Sequence, residues 1–267
     1  MRALALALSL GVALPGCDGA ASPPAPLPAE PAEPAAMPKL DPALVKSFRL
    51  VKDGHYAEAA ADVQAYLSAG GCAHPGQAEF LLGLGYHERQ LYQSARAHFA
   101  RALELEPDYF TTSFFYGFTL FNLGCLDEAK RQLEAFLARN PGEAEAVFGL
   151  GLVALEQDRI DDAGHDIERA IAMARSRSKT RDLPAALRED VARYEARLGD
   201  VHLRHDDLGK ARAALERSVA LWPEHFEPWH KLARVLERLG DHAGAERAQE
   251  QSDAALARRT SQGSPPR

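Results

Sequence analysis

Six alanines recur through this chain in one phase: Ala59, Ala95, Ala129, Ala163, Ala211 and Ala245 follow a step of about 34 residues, with wider gaps before Ala95 and before Ala211. A self-similar period of that length leaves few architectures open, because it marks helical units that bury their apolar faces only by stacking on one another. Other columns keep the same phase. Gly83, Gly117, Gly151, Gly199 and Ala233 each precede their alanine by one constant interval, with Leu82, Tyr116, Leu150, Leu198 and Leu232 directly ahead of them. Pro107, Pro141 and Pro223 follow their own alanines by an equal interval. Small residues where two helices cross let the backbones approach, while larger neighbours fill the gap as ridges in grooves. Glycine inside a helix costs about 1 kcal/mol relative to alanine. Its return at one phase therefore predicts close helix packing that offsets the cost.

These columns, with Leu-Gly or Tyr-Gly in the first helix, Ala-x-x-x-Phe/Leu/Ile in the second and Pro after it, resemble the tetratricopeptide repeat family. The resemblance implies an all-α, right-handed α-solenoid of about six helix-turn-helix units. They are placed at residues 40–73, 76–109, 110–143, 144–177, 192–225 and 226–259. In the first unit Asp53 to Ala60 matches well, but Ser47 stands where others carry Gly or Ala. In the sixth, Gln249 replaces an apolar residue. Departures at both ends are expected of a stack whose terminal units face water.

Ahead of the array, Arg2 and an apolar stretch from Ala3 to Leu14 read as an export signal, residues 1–16, too short to span a bilayer. Leu14-Pro15-Gly16-Cys17 resembles a bacterial lipobox, which implies lipidation of Cys17 and export to the cell envelope, facing the periplasm or the cell surface. A plain cleaved signal with an incidental Cys17 is the competing reading. Asp18 resembles an inner-membrane retention signal, a rule that varies between bacteria, so the membrane stays open. Residues 18–39 hold seven prolines among alanines and no aromatic or β-branched residue. Nothing there can bury a core, so residues 17–39 are expected to be a linker reaching roughly 60 Å in polyproline II form. The segment from Arg258, and above all residues 260–267, is expected to be a disordered tail. Cys72 and Cys125 fall on opposite edges of the array, about 20 Å apart, which predicts two free thiols.

Composition excludes some functions. With 46% hydrophobic and 26% charged residues and a net charge of −7, the chain is not expected to bind nucleic acid. Gly149-Leu-Gly151-Leu-Val-Ala154 imitates a dinucleotide fingerprint but lies in repeat phase and follows no strand. His202, His205, Asp206 and Asp207 have the residue types of a metal site, yet close a helix where such residues are usually solvated. With no P-loop, His-Glu-x-x-His or Gly-x-Ser-x-Gly sequence, neither an enzyme nor a cofactor is expected.

The family resemblance implies that the first helices of successive units line a groove. The lining positions are apolar in the first four units: Leu44, Phe48 and Val51, then Phe80 and Leu84, then Phe114, Phe118 and Phe121, then Phe148, Leu152 and Leu155. In the fifth and sixth they turn charged, with Arg193 and Arg204, then His230, Arg234 and Arg238. An open stripe of that kind would exceed what a monomer usually exposes, so something should cover it. The sequence favours an envelope protein or peptide with apolar anchors and acidic groups. Three readings stay beside it: the rings are core, the groove carries an apolar small molecule or lipid, or the chain is an accessory subunit of an envelope enzyme. Self-association through the stripe also stays open. The chaperone-type carboxylate clamp of this family is missing, since Phe80, Leu84 and Phe115 stand where it needs polar or basic groups. Residues 178–191 are an insert, and Arg175 to Arg181 around its start carries four positive charges, either a contact for an acidic partner or a solvated linker. Leu183-Pro184 is expected to restart a helix that runs on to His205.

Overall fold

The computed structural model describes residues 36, 38–69, 72–178 and 183–261. The signal, Cys17, most of the linker and residues 262–267 lie outside the described residues, as does the middle of the basic insert. Among the described residues there are twelve α-helices and one short 3₁₀ turn, Pro42–Leu44, and no strand. No helix among them is long and apolar enough to cross a membrane.

The helices come in pairs: α1 (Val45–Lys52) with α2 (Tyr56–Ser68), α3 (Pro75–Glu88) with α4 (Tyr92–Leu105), and α5 (Thr111–Asn122) with α6 (Leu126–Arg139). Then come α7 (Ala144–Glu156) with α8 (Ile160–Ser176), α9 (Ala185–Arg204) with α10 (Leu208–Leu221), and α11 (Phe226–Arg238) with α12 (His242–Ser261). The fold is the all-α solenoid type that the period predicts. It divides between Gly149 and Leu150, inside α7, into two compact units.

The glycine column acts as the period requires. A Cβ at Gly83, Gly117, Gly151 or Gly199 would stand 2.7 Å from Phe99, 2.8 Å from Leu133, 2.7 Å from Ile167 or 2.9 Å from Leu215 respectively. In each case the obstacle lies one helical turn past the column alanine, and each of those alanines is fully buried. In the first pair Ser47 takes the glycine's place and is buried. Its hydroxyl donates to Asp62, so the polar group is satisfied within the pair. The turns keep the same phase: Gly54, Gln90, Gly124, Asp158, Asp206 and Gly240 all have φ between 56° and 83°, each at the same place ahead of its alanine. Helices α4, α6 and α10 are each followed by a cap residue, Glu106, Asn140 and Trp222, whose φ near −140° leaves the helical region. A proline follows each, and the residue before proline is pushed out of that region by its ring.

The unit up to Gly149 is filled by aromatic and aliphatic side chains, including Phe80, Phe99, Leu120, Leu133 and Phe136, all nearly inaccessible. Asp41 anchors its start. The Asp41 backbone N–H donates to Gln77 Oε1 at 2.6 Å, and its carboxylate accepts from the Tyr66 hydroxyl at 2.7 Å. In the unit from Leu150, Ala211, Leu215, Leu232, Val235, Leu236 and Ala248 form a core on which Leu203, Leu208 and Trp229 pack.

Two expectations change here. Helix α12 continues through Ser261, and the Arg259 guanidinium sits 5.7 Å above the Phe226 ring, so the segment from Arg258 starts helical. Only one of the two thiols is free: Cys72 is, whereas Cys125 is disulfide-bonded. Within the insert, α9 begins at Ala185 after Pro184 and runs for 20 residues. That early restart is the long helix Leu183-Pro184 predicts.

Candidate functional site

The first helices carry the candidate groove, and the structure places most of its apolar residues in the core. Phe80 is 2% exposed, its ring 6.0 Å from Phe99, 5.3 Å from Tyr109 and 5.6 Å from Phe115. Leu84 and Phe118 are fully buried, and Phe148, Leu152 and Leu155 are buried as well. A side chain already enclosed by its own fold has no surface to offer a partner. Six of the eight predicted groove residues are therefore core, which corrects the open stripe. The exceptions are Phe114 and Phe121, half-buried and two helical turns apart on one face of α5. Phe114 packs 5.1 Å from Phe115, Phe118 and Phe136 while keeping an accessible edge. Of the first-pair residues, Leu44 and Val51 are buried and Phe48 is half-buried.

A buried polar pair sits among these rings. His87 is 5% exposed, and its Nδ1 lies 2.8 Å from the Thr119 hydroxyl. That hydroxyl already donates to the Phe115 carbonyl, so the imidazole nitrogen is the donor to the threonine oxygen. Burial pushes the His87 pKa down to about 4, so the ring is neutral near pH 7.

In the other unit the charged positions are mostly spoken for. Arg193 pairs with Asp190 at 2.8 Å, Arg204 with Asp158 at 2.8 Å, and Arg238 with Asp206. The last two bonds reach from a first helix to the turn of the preceding pair. Asp200 adds a bridge between Arg197 and Lys231. His230 and Arg234 differ, being exposed one turn apart on α11 with no charged partner among the described residues. The predicted charged end thus splits into two arginines that reach the preceding pair, Arg193 paired within α9, and two groups that face solvent.

Residues 49–110 and 119–182 match one tetratricopeptide repeat model, and residues 192–235 match a second. The chain belongs to the tetratricopeptide repeat family. No curated protein matches it in sequence. Solved structures agree on the fold. A MamA fragment from Desulfovibrio magneticus RS-1 is 21% identical, with TM-score 0.55, over 66% of this chain and 91% of that one. PilF of Pseudomonas aeruginosa is 20% identical, with TM-score 0.57, over 67% and 76% of the two chains. YrrB, described as having an unusual peptide-binding site, is 18% identical, with TM-score 0.54, over 71% and 89%. Tetratricopeptide repeats serve as protein-interaction scaffolds, and this chain has that architecture.

The remaining candidates resolve into parts of the repeat frame. Gly149 and Gly151 lie inside α7 and are closed by side chains: a Cβ on Gly149 would meet Phe118 and Leu133 at 3.0 Å. His205 pairs with Asp161 at 3.2 Å, Asp206 with Arg238, and Asp207 caps α10 through Lys210 N–H at 3.0 Å. Among the described residues no three His, Cys, Asp or Glu side chains converge as metal ligands.

Sequence reasoning missed two features. One is Glu195, a carboxylate only 2% exposed, bound by Arg175 at 3.2 Å and Arg217 at 2.8 Å. It ties α9 to α8 and α10. The other is a cleft of about 460 Å³ between the first two tetratricopeptide repeats, lined among others by Val51, Tyr56, Leu82, Gly85, Tyr86 and Arg89. Its only sequence signal is Gly85, a glycine outside the repeat column.

Proposed function

We propose that this protein is a non-catalytic, membrane-tethered scaffold of the bacterial cell envelope, which binds a partner protein through surfaces its first helices leave exposed. The observation that carries the partner reading is the half-buried pair Phe114 and Phe121 on one face of α5. Large aromatic edges that stay accessible beside a packed core are the groups that anchor partner chains. The tether reading rests on the first 17 residues and the proline-rich run after them, with Cys17 as the lipidated residue. On this reading the array faces the periplasm or the cell surface.

Crosslinking and mass spectrometry on envelope preparations test the partner face. The Phe114→Asp, Phe121→Asp double variant, with its helicity checked by circular dichroism, should lose one specific crosslinked protein. An unchanged set of crosslinks from a folded variant would discard the α5 face. Phe118 is unsuitable for this test because it is core. The anchor is tested on the mass of the N-terminal peptide from detergent-solubilised protein. A diacylglyceryl mass on Cys17 is expected; an unmodified Cys17 ends the lipoprotein reading.

A further inference from the structure

We infer that the cleft between the first two repeats is the docking site of this chain's own proline-rich segment, Pro28-Ala-Glu-Pro-Ala-Glu-Pro34. The inference is independent of the α5 face. It starts from the cleft's chemistry. Tyr56 and Tyr86 present ring surface at a gap of about 460 Å³ that also takes in the backbone of Gly54 and Gly85. Grooves lined by aromatic rings are what polyproline II segments recognise, since the prolines are already ordered and stack on the rings. Tyr86 is itself held in place: its ring stacks on His98 at 5.2 Å and 8°, and His98 is fixed by Glu79 at 2.7 Å.

Charge then selects the segment. The acidic group lining the cleft, Glu58, is already met by His55 at 3.7 Å. Arg89 is exposed, its guanidinium 6.0 Å from the Tyr86 centroid, with no carboxylate partner among the described residues. A ligand that matches this cleft carries prolines with a carboxylate between them. The linker offers that pattern twice in succession, as Pro28-Ala-Glu30-Pro31 and Pro31-Ala-Glu33-Pro34.

Reach fixes the register. The chain enters the array beside Tyr66 and Gln77, where Asp41 and the Lys39 carbonyl are hydrogen-bonded. Tyr66 and Tyr56 are on the same helix, about 15 Å apart along its axis. A polyproline chain covers that in about five residues at ~3.1 Å each. Counting back five from Lys39 gives Pro34, so the segment lying over the cleft is the one that ends there. Docking takes Pro28–Pro34 out of the linker and shortens its reach from Cys17 from roughly 60 Å to about 35 Å.

The test is a titration of the synthetic peptide Pro28–Pro34 into three full-length chains, followed by the NMR shifts of ring-labelled tyrosine. The chains are wild type, a variant with Pro28, Pro31 and Pro34 changed to Ser, and that variant with Arg89→Glu added. At an effective concentration of about 1 mM for a short linker, the tethered segment should weaken peptide binding to wild type at least tenfold relative to the serine variant. Arg89→Glu should then abolish binding, and being an exposed change it should leave the helical spectrum intact. No binding by the serine variant would overturn the inference. Equal binding by wild type and the serine variant would also overturn it, leaving the cleft to a proline-rich segment of another protein.

Discussion

The two units use one backbone repeat and hold their neighbours together by different means. Around α3 and α5 the first helices meet through rings, Phe80 on Phe115 and His87 on Phe115. Around α9 and α11 the first helices carry Arg204 and Arg238, which reach carboxylates on the turn before, and Lys231, which reaches Asp200 on α9. The difference teaches that helix pairing and pair-to-pair cohesion are separate problems. Pairing is solved by the glycine column and its facing Phe, Leu or Ile in both units. Cohesion is left to the residues around that column, so one unit adds a network of rings to its buried core and the other adds ion pairs to its own.

The largest effect should come from removing one of the rings. Phe118 is fully buried, so Phe118→Ala opens a cavity and should cost about 3–5 kcal/mol, seen as lost hydrogen-exchange protection across α5 and α6. If exchange in α5 and α6 is unchanged, the rings do not hold that unit and the comparison collapses. Glu195 is the counterpart in the charged unit. Glu195→Gln keeps the shape and removes both ion pairs, but Arg175 and Arg217 are nearly half exposed, so their solvation offsets part of the loss. About 1–2 kcal/mol is expected across α9 and α10, shrinking at 1 M salt. A loss as large as that of Phe118→Ala, and indifferent to salt, would show that packing carries both units.

Acid should separate the units further. His87 titrates at about 4 when folded and near 6.5 when unfolded, so the unfolded chain binds its proton first. Its contribution is full at neutral pH and falls as pH drops through the window from about 6.5 to about 4. Between pH 7 and pH 5 this one group should remove about 2 kcal/mol from the unit containing α3 and α5. Comparing urea midpoints of wild type and His87→Gln at both pH values isolates it. The variant should be weaker at pH 7 and lose less on acidification; parallel curves would mean the imidazole is not buried neutral.

What the sequence shows and what it hides follow from the same geometry. The pairing is legible because a helix crossing tolerates only a few residue types, so Gly117 facing Leu133 leaves a periodic mark. The exposed face of a first helix is not legible. Phe80 and Leu84 stand at positions that line a groove when neighbouring pairs splay apart, and in this chain Tyr109 and Phe115 close over Phe80 instead. Whether a ring is covered depends on side chains far along the sequence, which local pattern does not register. The cleft leaves a faint mark: of its lining, Gly85 alone stands out in the sequence, as a glycine outside the repeat column. The charged end is legible as charged, but the carboxylates that hold Arg204 and Arg238 lie in the preceding turns, out of step with the helix face that suggests a partner.

Those turns give the smallest and most discriminating measurement. Asp206 has φ 56° and also holds Arg238, so it combines a backbone demand with an ion pair. Glycine meets the backbone demand without cost, aspartate tolerates it, and alanine pays roughly 1 kcal/mol or slightly more. The ion pair joins two exposed side chains and is worth at most about 1 kcal/mol. Asp206→Gly should therefore be nearly neutral, its backbone gain cancelling the lost pair. Asp206→Ala should cost about 1–2 kcal/mol, because both terms then have the same sign. In the ring-bonded unit the equivalent residue, Gly124, has φ 75° and no side chain to pair, so Gly124→Ala should show the backbone term alone. The cost of Asp206→Asn, which tolerates the same left-handed backbone but lacks the charge, gives the charge contribution at that turn as its difference from wild type. A difference near zero would mean that the arginine ladder follows the fold without holding it, and that Arg238 is as available to a partner as Arg234.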